Sequence, residues 1–128
     1  MKIREIYNSA LSLIGEQQNS KNDDDYSERA TYIMAIFCDK VANIDRSFRE
    51  THGLEAQKEF NEVCLGLDSD FPLCPRFADS AAHYLASMLV VYENDVLHDR
   101  LFSMHCDLLS SAISEIPYSL EKIKDTYC

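Results

Sequence analysis

Between Phe71 and Glu93 the chain reads FPLCPRFADSAAHYLASMLVVYE, and no other stretch limits its folding options as tightly. Pro72 and Pro75 bias Phe71 and Cys74 away from the α region, so Phe71 to Cys74 is expected to be an extended lead-in. Pro75 suits a first helical turn, where a missing N–H is no loss and φ is already set. From there Phe77, Ala81, Tyr84, Leu85, Met88, Leu89 and Tyr92 recur in steps of mostly three and four, the mark of one helical face. Ala78, Ala81, Ala82 and Ala86 let a neighbouring helix approach closely. Val90 and Val91 make the last turns apolar nearly all round. The run predicts a central helix, packed on more than one side.

The flanking chain supplies elements to surround it. Ile3, Ile6, Tyr7, Ala10, Leu13 and Ile14 give a first helix over 2–14, closed by Gly15. Residues 16–25 are polar and read as a flexible loop. A second helix starts near Asp25 or Ser27 and carries a stripe at Tyr26, Ala30, Ile33, Phe37, Val41, Ile44 and Phe48. It ends near Gly53 after roughly 25 residues, some 35–40 Å at 1.5 Å per residue. Such length exceeds the width of a small domain, so the helix either protrudes or walls a larger assembly.

Residues 54–70 support helix and irregular structure equally; Phe60, Val63, Leu65 and Leu67 suit a short strand or an anchoring loop. The Asp68–Asp70 cluster marks a turn. After a tight break at Glu93–Asp95, Asp95 caps a helix from Val96 to about Ile116. Leu97, Leu101, Met104, Leu108, Leu109 and Ala112 form its inner face. So short a break makes the last two helices an antiparallel hairpin. Pro117 ends the hairpin. The expected fold is therefore all-α: a bundle of four to five helices in one domain over 1–116, with one long helix, a C-terminal helical hairpin and a short tail over 117–128 that docks on a partner.

Composition excludes several functions. The net charge of −10 is concentrated downstream, since residues 1–53 carry seven basic and nine acidic side chains and residues 54–128 carry five and thirteen. An acidic surface repels phosphate, which argues against sequence-specific nucleic-acid binding; the plainer role of such charge is solubility. Apolar runs are too short for a membrane span, and the first residues lack the pattern of a secretory signal. Five cysteines without such a signal fit a reducing compartment.

Chemistry-bearing constellations are sparse. His98 and His105 are seven residues apart, beyond the three to five that suit one metal ion, and His105 and Cys106 diverge on a helix. Exposed histidines and a buried apolar cysteine are the ordinary alternative. Cys74 is the thiol expected to be most accessible, with Arg76 as its only nearby cation. No glycine-rich phosphate loop or metalloprotease pattern occurs, and no catalytic residue, cofactor or metal is expected.

The segments IYNSALSLIGE, DYSERATYIMAIFCDKVANIDRSFRE and LDSDFPLCPRFADSAAHYLASMLVVYENDVLHDRLFSMHCDLLSSA together resemble the small helical head–tail connector (neck adaptor) proteins of tailed phages and prophages. The likeness runs from Ile6 to Ala112. Its most telling pieces are Phe71-Pro72-Leu73, Arg76-Phe77, and Tyr84-Leu85-Ala86 followed by Glu93-Asn94. The resemblance implies a non-catalytic structural subunit in the virion neck, assembled in the cytoplasm of a bacterial host. It further implies a ring of about twelve copies under the portal, joining capsid to tail, with DNA passing through the channel. Its partners would be itself, the portal and the next neck protein. Two faces of each subunit must then be apolar, and the expected contact residues are Met34 and Ile36 on the second helix and Phe71, Leu73, Arg76 and Phe77 in the proline segment. Leu120 and Ile123 in the tail are the expected docking residues. The rival reading is a helical adaptor or regulatory module that binds a partner helix.

Overall fold

The computed structural model describes residues 1–15, 23–60 and 62–114. Over these residues the chain is all-α: α1 (Ile3–Leu13), α2 (Asp23–Thr51), a 3-10 turn (Pro75–Phe77) leading into α3 (Ala78–Leu89), and α4 (Asp95–Ser114). The loop expected over 16–25 lies outside the described residues from 16 to 22, and α2 already begins at Asp23. The tail over 117–128, with Leu120 and Ile123, also lies outside them.

The central position of α3 follows from its alanines. Ala81, Ala82 and Ala86 are buried, as are Tyr84, Leu85 and Leu89, and α3 touches each of the other three helices. Cys74 is extended (φ −61°, ψ 144°) ahead of Pro75, as the proline pair requires. The regular helix stops at Leu89, however, so the period does not reach Tyr92, which is 91 % exposed. The orphan carbonyls at this end of α3 are met from outside: the Arg29 guanidinium donates to the Met88 carbonyl at 2.8 Å and the Leu89 carbonyl at 3.3 Å, as a helix C-terminus needs.

The first turn of α1 is completed by chain more than sixty residues away. Ile3 N–H donates to the Ser69 carbonyl (3.0 Å) and Arg4 N–H to the Leu67 carbonyl (2.8 Å), while Lys2 and Asp70 form an antiparallel bridge. Glu5 adds the carboxylate side of a capping box, accepting from Lys2 N–H at 2.8 Å. Over its described residues the connection between Gly53 and the 3-10 turn is irregular apart from that bridge, one of the two alternatives its sequence supports. Gly15 (φ 75°) and Gly53 (φ 65°) end α1 and α2 in the left-handed region, where glycine is unstrained.

Two details of helix α4 differ from expectation. Asn94, not Asp95, is its cap: Asn94 Oδ1 accepts from Leu97 N–H at 3.0 Å. The inner face holds the expected Leu101 and Ala112, with Leu97 and Leu109 half-buried against the core, but it adds His105 and leaves Met104 on the outside. Tyr26 at the start of α2 reaches Glu93 just before α4, and Phe37 and Lys40 further along α2 meet His105 and Phe102. Helices α2 and α4 therefore run parallel to each other, both antiparallel to α3.

Candidate functional site

Two buried polar clusters and one open groove are the features with chemistry in them. The first cluster centres on Asp45, which is fully buried. Its carboxylate accepts from Cys74 N–H (2.7 Å), Gln57 Nε2 (2.8 Å) and Arg49 Nε (2.8 Å). Arg49 goes on to hold the carbonyls of Glu55 (3.0 Å) and Pro72 (3.3 Å), and Gln57 also donates to the Ala42 carbonyl. One carboxylate thus fastens α2 to both ends of the irregular connection. Burial pushes this carboxyl up, but the hydrogen bonds from Cys74, Gln57 and Arg49 outweigh it and hold it below the ordinary range.

This geometry corrects the expectation for Cys74. Its side chain is buried, not accessible, and burial followed by the neighbouring Asp45 pushes the thiol up to about 11. Cys38 is likewise buried, and its thiol is pushed up to about 12 by burial and then Asp45. Neither is poised as a nucleophile, because the thiolate is the reactive form. Cys106, expected in the core, is exposed, as is Cys64.

The second cluster corrects the expectation that the histidines are exposed. His105 is buried among Phe37, Tyr84 and Phe102, with ring centroids 5.0–5.9 Å away. Its Nδ1 lies 2.8 Å from Ser80 Oγ and 3.2 Å from the Ser80 carbonyl, and Ser80 Oγ lies 3.3 Å from the His105 carbonyl. A proton on Nδ1 satisfies this set: Nδ1–H donates to Ser80 and the hydroxyl donates to the His105 carbonyl. The pair resembles a nucleophile and its base, but both side chains are closed off from solvent. Lys40 Nζ sits 5.2 Å from the Tyr84 ring centroid and 5.7 Å from that of Phe102, capping the cluster with a cation–π contact.

Burial first, then Lys40, drive the His105 pKa below its ordinary value, against a smaller opposing effect of the Ser80 backbone bond. Above about pH 6.5 the ring is neutral in both folded and unfolded chains. As pH falls through that value the unfolded chain takes up a proton that the native cluster resists, so stability drops until pH passes the depressed native value. Urea midpoints between pH 8 and 5 should fall for the wild type and fall less steeply for His105→Gln. Equal slopes would show that His105 titrates alike in both states.

The groove lies along α2 on the flank away from α4. Ala35, Ile36, Asp39, Phe60, Glu62 and Val63 line a depression of about 330 Å³. A more polar one of about 650 Å³, sharing Asp39 and Phe60, continues past Asn43 and Arg46 to Gln57. Ile36 is 57 % and Val63 80 % exposed, so the shallower end is an apolar patch beside carboxylates. Helix α2 turns outward here because its true stripe is Tyr26, Ala30, Met34, Phe37, Cys38, Val41, Asp45 and Phe48, with Ile33 and Ile44 only half-buried at its edge.

Burial within the chain, in the α2 stripe for Met34 and in the proline segment for the others, corrects four of the expected contact residues. Met34, Phe71, Leu73 and Phe77 are core side chains with nothing to offer a partner. Arg76 is half-buried with its guanidinium 4.6 Å from the Phe48 ring centroid. Ile36 alone among the expected residues that are described is exposed. Phe60 and Val63 join it; the sequence marks them as apolar residues in an unpatterned stretch but not as neighbours of Ile36. Among the described residues, no three His, Cys, Asp or Glu side chains gather as for a metal ion, and no helix is long and apolar enough to cross a membrane. Set against family models, curated proteins and solved structures, the chain matches none.

Proposed function

We propose that this protein is a non-catalytic structural subunit that assembles with copies of itself, and that its resemblance to phage head–tail connectors reflects this role: a ring under the portal, with DNA passing through. The observation that carries the reading is the groove beside α2, where Ile36 and Val63 stand in solvent next to Phe60. Apolar side chains grouped in one depression on a small domain mark a surface for another macromolecule. The buried polar groups support the same reading from the other side, since Asp45 and His105 are consumed by holding helices together and have no route to a substrate. The overall acidity suits a channel along which DNA slides without sticking.

Light scattering and negative-stain imaging of the full chain, alone and mixed with the portal ring, test this. Rings or discrete higher-order species are expected in at least one condition. A protein that stays monomeric in both overturns the reading and leaves the helical adaptor in its place.

A further inference from the structure

The groove has a counterpart on the far side of the molecule. On α4, Val96, Arg100 and Met104 follow at i, i+4 and i+8, one line on a helix surface. Val96 is 70 % and Met104 44 % exposed, and Arg100 is exposed between them. Asp107 continues the line, whereas Asp99 falls about 100° round the helix from Arg100.

The charges on the two surfaces have matching spacing and opposite order. Asp39 and Arg46 on α2 are seven residues apart, and so are Arg100 and Asp107 on α4. Seven residues are two turns, about 10.5 Å. All four are exposed, and none belongs to an ion pair among the described residues; Arg46 bonds only the neutral Asn43 and Gln57. Along α2 the order is acid then base, and along α4 it is base then acid.

Building on the reading of the chain as a self-assembling subunit, we propose that the outer face of α4 in one copy docks along the α2 groove of the next. Arg100 then meets Asp39, Asp107 meets Arg46, and Val96 and Met104 cover Ile36, Phe60 and Val63. The register requires the two helices to be parallel. Helices α2 and α4 are already parallel within a subunit, and rotation about an axis along them preserves that direction in every copy. The groove lies on one flank of α2, while Lys40 on the other flank leans over Phe102 of α4. A copy therefore cannot fill its own groove, and the contact is head-to-tail, the kind that closes into a ring.

The test uses surface variants of the full chain, each checked for native unfolding behaviour, in whichever condition yields assemblies. Asp39→Arg and Arg100→Asp should each weaken assembly at least about tenfold, with the double reversal recovering most of the loss. Ile36→Glu blocks the groove and Val96→Glu blocks α4, so each alone should be monomeric, while an equal mixture of the two should stop at a 1:1 dimer. Assemblies indifferent to all four variants overturn this interface and leave the assembly reading standing. A wild type that never assembles overturns both.

Discussion

Asp45→Ala is expected to lower the unfolding free energy by about 3 kcal/mol, because it strands the buried Cys74 N–H and releases Gln57 and Arg49 together. The groups left behind are donors, so no rotamer of the remaining side chains replaces what is lost. Asp45→Asn keeps the shape and one accepting oxygen but turns an N–H₂ group toward either Cys74 N–H or the Gln57 and Arg49 donors, and should fall between alanine and the wild type. Because the native carboxyl is held below its ordinary range, its contribution is complete above about pH 4 and disappears as pH falls through the native value. The same urea series extended to low pH thus separates two windows, His105 below about 6.5 and Asp45 below about 4. A loss under 1 kcal/mol for Asp45→Ala would mean that the three donors find water in the native state.

Phe37→Ala should cost more, about 3–5 kcal/mol, as for large aromatic truncations in a closed core. Phe37 is fully buried on α2 and packs against Tyr84 of α3 (5.7 Å between centroids) and His105 of α4 (5.9 Å), so the cavity would open where three helices meet. Ile36→Ala, one residue earlier on the exposed side, should stay within about 0.5 kcal/mol. The contrast between adjacent apolar residues is the useful measurement. Similar losses at both positions would place the wrong face of α2 against the core.

Much of this fold is legible before any coordinates. The 3.6-residue period of α1, α2 and α4, the glycines after α1 and α2, and the Pro75 turn each point to their element for reasons that are local. What the chain does not announce is which polar residues belong inside. Asp45 stands four after Val41 and three before Phe48, a core position by spacing, yet an acidic side chain there reads as solvent-facing unless the two donors from beyond the helix, Gln57 and Cys74, are known. His105 sits four after Leu101 and seven before Ala112, and is hidden in the same way. Only specific partners make these burials tolerable: Gln57 and Cys74 reach Asp45 from a connection with no periodicity of its own, and Ser80 reaches His105 from the facing helix. The groove is hidden from the sequence for a related reason: Phe60 and Val63 gain a neighbour in Ile36 only once Gln57 is drawn onto α2.

The wall of the groove opposite α2 is irregular chain held at separate points: Gln57 on Asp45 and on the Ala42 carbonyl, Arg49 on the Glu55 carbonyl, and Leu65 N–H on the Thr31 carbonyl. The wall thus takes its position from groups on α2 itself. In the proposed contact, the shape offered to the next copy would depend on the buried carboxylate of α2, so that Asp45→Ala would loosen the assembly as well as the fold.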